Sequence, residues 1–250
     1  MSKSQNRLRH QHHSKKNRKT QENAIQGIFR LGLKMELSDL IFAIEIIGTV
    51  AFAFSGTMVA IEQKLDLFGV LVLSIVTAVG GGLIRDLILG IHPPLMFQNS
   101  IYAKVAAGVA LVMFLVMYFN ASFYESRYMA LYTSIMNLFD AVGLAAFTVI
   151  GINTACNAGF GDRTFLLIAV GMITGCGGGM ARDIMAGITP AIFRKHIYAS
   201  ASFAGALVCV YLRPYSVSLS VLLGAIVIVL IRYLAAKYRW NLPKVPHPDV

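Results

Sequence analysis

The chain has 250 residues, 56% of them hydrophobic and 14% charged, with a mean hydropathy of +0.66. A soluble domain carries about 25% charged residues, so this composition argues against a soluble enzyme, a disordered chain and a disulfide-stapled secreted domain, and for a protein that crosses a bilayer several times. The net charge of +10 is mostly terminal: residues 1–39 hold nine Lys/Arg against three Asp/Glu, while 40–234 hold ten against eight.

Residues 1–36 are polar and basic, without a hydrophobic period, and read as a disordered, solvated tail rather than a nucleic-acid arm. Seven apolar stretches follow, near 40–61, 67–91, 101–119, 131–154, 164–188, 197–212 and 217–236. A bilayer core of about 30 Å needs about 20 residues of helix; the sixth stretch is the short one. Period-2 alternation is absent, so the expected fold is all-α, a polytopic bundle of seven transmembrane helices rather than a barrel. Cys156, Cys176 and Cys209 are scattered and apolar in setting, which fits packing and not a disulfide frame or a metal site.

The charges flanking the spans bear on orientation. Arg30, Lys34, Lys104, Arg163 and Arg213 fall on one side, and Lys64, Arg127, Arg194, Lys195, Arg232, Lys237 and Arg239 on the other. That balance places the N-terminus outside and the C-terminus in the cytoplasm; counting the far N-terminal charges reverses it.

The chain repeats itself. Gly80 to Pro93, GGGLIRDLILGIHP, recurs as GGGMARDIMAGITP from Gly177 to Pro190. Glu45, Gly48, Phe52 and Gly56 recur as Asp140, Gly143, Phe147 and Gly151, and Ile101-Tyr102-Ala103 recurs as Ile197-Tyr198-Ala199. Charges at fixed places make chance an inadequate account. Each copy holds three spans, and an odd number turns the second copy over in the membrane, so the expectation is two inverted three-helix repeats plus a seventh helix. The chain then divides into the tail (1–36), repeat 1 (37–120), a connector and start of the fourth span (121–136), repeat 2 (137–215), the seventh helix (216–238) and a C-terminal tail (239–250).

Gly80, Gly81 and Gly82, and again Gly177, Gly178 and Gly179, stand in the middle of predicted spans. Close helix packing is one reason for such glycines. A break that frees backbone carbonyls toward water or an ion is the other, and its recurrence in two spans favours it. Arg85, Asp86, Arg182 and Asp183 follow a turn later, and Glu45 and Asp140 lie inside their own spans. Ionisable groups at such depth face the interior and pair or serve transport. Two positive and four negative charges suit a small cation, although Arg–Asp pairing across the repeats, as structural clips, accounts for them equally. Gly90-Ile91-His92-Pro93 and Gly187-Ile188-Thr189-Pro190 are helix stops. No catalytic constellation, cofactor fingerprint or metal-ligand cluster emerges, so neither an enzyme nor a cofactor is expected.

The duplicated GGG-x-x-RD-x-x-x-G-I-x-P, the IYA after it and the span count resemble the trimeric intracellular cation channel (TRIC) family, in its prokaryotic, glycine-transporter-like form, over residues 38–236. The resemblance implies a homotrimer in the bacterial inner membrane, surrounded by lipid, with one path for K+ and Na+ inside each protomer. It implies that the glycine-bearing spans are kinked and line that path, and that the N-terminus is outside. The phosphoinositide site of the animal members is not carried over. Related bacterial proteins carry the label of small amino-acid uptake, so a secondary transporter for a molecule such as glycine stays open beside the channel.

Overall fold

The structure is a computed structural model, and it describes residues 37–119, 129–194 and 197–240. The tail reading for 1–36, most of the connector with Arg127, Lys195, and the C-terminal tail beyond residue 240 lie outside the described residues. The chain divides into Met1–Phe42 and a compact unit, Ala43–Val250. Of the first, only the opening of helix α1 (Leu37–Glu62) is described; the site discussed below belongs to the second.

Every regular element among the described residues is helical. After α1 come α2 (Leu67–Leu89), the short α3 (Leu95–Gln98), α4 (Ile101–Phe119), α5 (Met129–Ala155, continued by a π-turn over Cys156–Phe160), α6 (Thr164–Met185), the short α7 (Ala191–Arg194), α8 (Ala199–Leu212) and α9 (Val217–Tyr238). Six of these are long and apolar enough to cross a membrane, and α8, at 14 residues, is a shorter apolar helix.

Local chemistry explains the boundaries. Asp66 opens α2 by accepting the Gly69 amide at 2.7 Å, and Ser216 opens α9 by accepting that of Leu219 at 3.4 Å. Gly90 and Gly187 turn the chain after α2 and α6 at φ +71° and +68°, a left-handed conformation that glycine takes without a Cβ penalty. These are the stops expected from the repeated Gly-Ile-x-Pro, although α2 and α6 end at 89 and 185, two or three residues short of the expected 91 and 188.

α6 packs on both α2 and α5, and α8 packs on α9. The contacts between the two copies are exchanged, as in an isologous interface. A Cβ at Gly81 would stand 2.1 Å from the Thr174 carbonyl oxygen, and one at Gly178 would stand 2.2 Å from that of Thr77. Phe52 fills the space over Gly143, Phe147 lies beside Gly48, and the two rings sit 5.3 Å apart.

This geometry corrects the expected break at the glycine triplets. α2 and α6 run through Gly80–Gly82 and Gly177–Gly179 as unbroken helices. At Gly81 and Gly178 the two helix backbones meet, and a side chain there would separate them. Their carbonyls remain in helical hydrogen bonding and are not released toward an ion.

α4 is peripheral. Only 11% of its most apolar window is buried, and Leu111, Val112, Leu115 and Val116 face outward. The core lies instead around Phe52, Leu73, Leu144, Ile150 and Tyr198.

Candidate functional site

The ionisable residues singled out by the repeat form two clusters, one per copy. In each, the arginine and aspartate of the RD pair are neighbours on one helix and both are buried. Arg85 Nε donates to Asp86 Oδ1 at 2.8 Å, and Arg182 Nε donates to Asp183 Oδ1 at 2.8 Å. The second carboxylate oxygen accepts a backbone amide across the turn: Leu95 N for Asp86, at 2.8 Å, and Ala191 N for Asp183, at 2.7 Å. Each aspartate therefore fixes its own arginine and also caps the short helix, α3 or α7, that follows the Gly-Ile-x-Pro turn. The expected clip across the repeats is not formed: each arginine pairs with the aspartate beside it in its own copy.

The clusters differ at the third charge. In the second copy Arg182 Nη1 reaches Asp140 Oδ1 at 2.8 Å and also donates to Ser55 Oγ of α1 at 2.5 Å. Arg232 of α9 adds its Nη2 3.7 Å from Asp140 Oδ2, and its guanidinium lies 4.8 Å above the Tyr198 ring. Asp140 and Asp183 thus face Arg182 and Arg232, and the charges balance. Tyr198 is 1% exposed, and its hydroxyl has no hydrogen-bond partner among the described residues.

In the first copy Glu45 holds the place of Asp140 and Tyr102 that of Tyr198. Here the Tyr102 hydroxyl donates to Glu45 Oε2. The arginine's ion pair here is with Asp86, at 2.8 Å. A cavity of about 500 Å³ stands among Glu45, Gly82, Arg85, Asp86, Asn99 and Tyr102, with Phe147 and Ile150 of α5 also in its lining. Two carboxylates there face one guanidinium, so this copy is one positive charge short of the other.

The expected site residues therefore separate. Glu45, Gly82, Arg85 and Asp86 line the cavity. Gly80, Gly81, Gly177 and Gly178 belong to the α2–α6 contact, and Gly179 faces the Tyr198 hydroxyl, 2.9 Å from where its Cβ would be. Asp140, Arg182 and Asp183 form the filled cluster. From the sequence Tyr102 and Tyr198 are visible only as markers of the repeat, and Arg232 only as a charge flanking a span. At 6% exposure Arg232 is an interior residue, and removing it from the flanking-charge balance leaves six against five in the same direction. No group of three metal-ligating side chains occurs among the described residues.

The family model described as "Glycine transporter" matches the chain twice, over residues 42–118 and 137–214. The UPF0126 inner membrane protein YadS of Escherichia coli strain K12 is 37% identical over 207 residues, which is 82% of this chain and 95% of YadS. Among solved structures, the TRIC orthologue from Rhodobacter sphaeroides superposes with a TM-score of 0.70 at 31% identity, covering 80% of this chain and 98% of that one. A structure described for conductance through TRIC cation channels gives 0.71 at 31% identity, covering 83% and 98%. The chain belongs to the TRIC family, in its prokaryotic, UPF0126 branch.

Two matches of one model within a single chain establish the duplication that the repeated motifs announce. They also leave α9 outside both copies of the TRIC unit. Arg232 is therefore a residue of the TRIC chain that has no counterpart in the first copy.

Proposed function

We propose that this chain is a passive channel for monovalent cations, K+ and Na+, whose path runs through the cavity of the first copy. The observation that carries the reading is the charge difference between the copies. Asp140 and Asp183 are balanced by two guanidinium groups, while Glu45 and Asp86 are met by Arg85 alone. An interior site one positive charge short draws a mobile cation of charge one. The solved neighbours are described as cation channels, which supports the same reading.

The finer features belong to this proposal. α8 counts as a seventh crossing, the copies are inverted with respect to the membrane, three chains assemble as a homotrimer, and the lipid around it is that of a bacterial inner membrane. The N-terminus is outside and the C-terminus cytoplasmic. No cofactor, nucleic acid or covalent chemistry enters. The glycine triplets hold α2 against α6 and so shape the cavity wall, with Gly82 alone of the six lining it.

The test is flux from purified protein in liposomes. A K+ gradient should drive a current that does not saturate with labelled glycine, and Glu45→Gln should reduce K+ flux by about tenfold, since a fixed charge in a low-dielectric passage is worth on the order of 1–2 kcal/mol or more to a passing ion. Saturable glycine uptake with negligible K+ current would instead make the cavity a substrate site of a secondary transporter.

A further inference from the structure

The second copy contains an occupied version of the place that is a cavity in the first. Arg232 comes from α9, outside the duplicated unit. Its guanidinium lies 4.8 Å above the Tyr198 ring and 3.7 Å from Asp140. Among the described residues no such group lies on the matching pair in the first copy, Tyr102 and Glu45, which lines about 500 Å³ of open space. The chain thus displays, within itself, which cation this acid–tyrosine pair accommodates.

We propose that the first-copy cavity is a binding site for a small planar cation of the guanidinium class, held between the Glu45 carboxylate and the Tyr102 ring as Arg232 is held between Asp140 and Tyr198. Two features favour this class over a compact ammonium. A delocalised guanidinium gives up its water more readily and stacks on an aromatic face. Its donors lie in one plane, so it can engage a carboxylate edge while its face lies on the ring. Glu45 supplies the carboxylate; Gln98 and Asn99 also line the cavity, where Asn99 Oδ1 already accepts the Ile101 amide. The volume falls within the range of small-molecule sites, about 300–1,000 Å³. The effect on ion flux rests on the channel reading above, whereas the binding itself does not.

Equilibrium dialysis of radiolabelled guanidinium against the full-length protein in detergent, at low millimolar concentration, reads the site directly. One saturable site per protomer is expected. Glu45→Gln should weaken it by about tenfold or more, from the loss of a charge-assisted hydrogen bond. Tyr102→Leu should weaken it by about fivefold, and Tyr102→Phe, which keeps the ring, by less.

Arg232→Ala vacates the second place, which a groove of about 490 Å³ between α5 and α9 already approaches. That variant should bind two guanidinium ions per protomer, and its thermal midpoint should recover toward wild type as guanidinium is added. The phenylalanine and leucine pair at Tyr102 decides the matter even where Arg232→Ala does not fold.

Absence of saturable binding to folded wild-type protein, or binding unaltered by Glu45→Gln, overturns the proposal. Potassium flux in liposomes separates it from the channel reading. Flux without guanidinium binding leaves the channel and removes the site. Binding without flux leaves the site and removes the channel. With both, guanidinium should inhibit K+ flux in wild type and lose that effect in Glu45→Gln.

Discussion

Glu45 and Asp140 hold the same place in the two copies but are embedded differently, and substitutions there should separate stability from transport. Asp140 is 2% exposed and lies between Arg182 and Arg232. Asp140→Asn leaves Arg182 with Asp183 but strips Arg232 of its carboxylate in an apolar interior. Removing one partner of a buried pair costs about 3–5 kcal/mol, so thermal unfolding in detergent should show a large drop. Glu45 is only half-buried, and its recorded partner is the Tyr102 hydroxyl. Glu45→Gln keeps an acceptor oxygen for that hydroxyl, so the midpoint should move by less than about 1 kcal/mol equivalent while the K+ flux falls. Equal losses of stability in the two variants would mean that Glu45 is as structural as Asp140.

At the level of helices, the same contrast runs along a single glycine triplet. A Cβ at Gly81 meets the Thr174 carbonyl oxygen at 2.1 Å, and that oxygen belongs to a packed backbone that cannot swing aside. A Cβ at Gly80 has no neighbour nearer than 3.8 Å. Gly81→Ala and Gly178→Ala should therefore force α2 from α6, at about 1–3 kcal/mol or more each. Gly80→Ala should be neutral or slightly stabilising, because alanine favours the helix by about 1 kcal/mol over glycine. Chemical or thermal unfolding of the three variants checks the order.

The sequence carries the motif but not its reason. Glycine in a span is compatible with a break and with close contact alike, and only the partner helix decides between them. The turns after α2 and α6 were legible because Gly then Pro constrains the backbone locally, whatever surrounds it. The RD pairs were legible because charge is rare at such depth. Arg232 was not, since a charge six residues from the end of α9 looks the same from the sequence whether it faces water or reaches inward to a distant aspartate. Tyr102 and Tyr198 were visible as a repeat, but their roles follow from Glu45, Asp140 and Arg232, residues far from them in the chain.

For the whole molecule, duplication and sidedness combine into one measurable consequence. The loop after α1, around Gln63, and the loop after α5, around Asp162, hold equivalent places in the two copies. Both residues are exposed. If each copy crosses the membrane three times, with α8 as a true crossing, equivalent loops must lie on opposite sides. If α8 does not cross, Gln63 and Asp162 still differ, but the two ends of α9 exchange sides. Single cysteines at Gln63, Asp162 and Tyr215, in a chain whose three native cysteines are replaced, distinguish these cases with a membrane-impermeant thiol reagent on intact cells. With the N-terminus outside and seven crossings, Asp162→Cys and Tyr215→Cys should label and Gln63→Cys should not. Labelling at Asp162 without Tyr215 would remove α8 from the crossings. Labelling at Gln63 alone would keep the inversion and turn the whole chain over. The proposed crossing by the short α8 does not require it to span lipid alone: Gly205 and Gly224 bring it against α9 so closely that a Cβ at Gly205 would stand 2.7 Å from the Gly224 carbonyl oxygen. A helix held that tightly by a neighbour of full length can meet the bilayer through thinning and flanking residues at fractions of a kcal/mol per Å of mismatch, so Tyr215, just beyond its end, is where the labelling should decide.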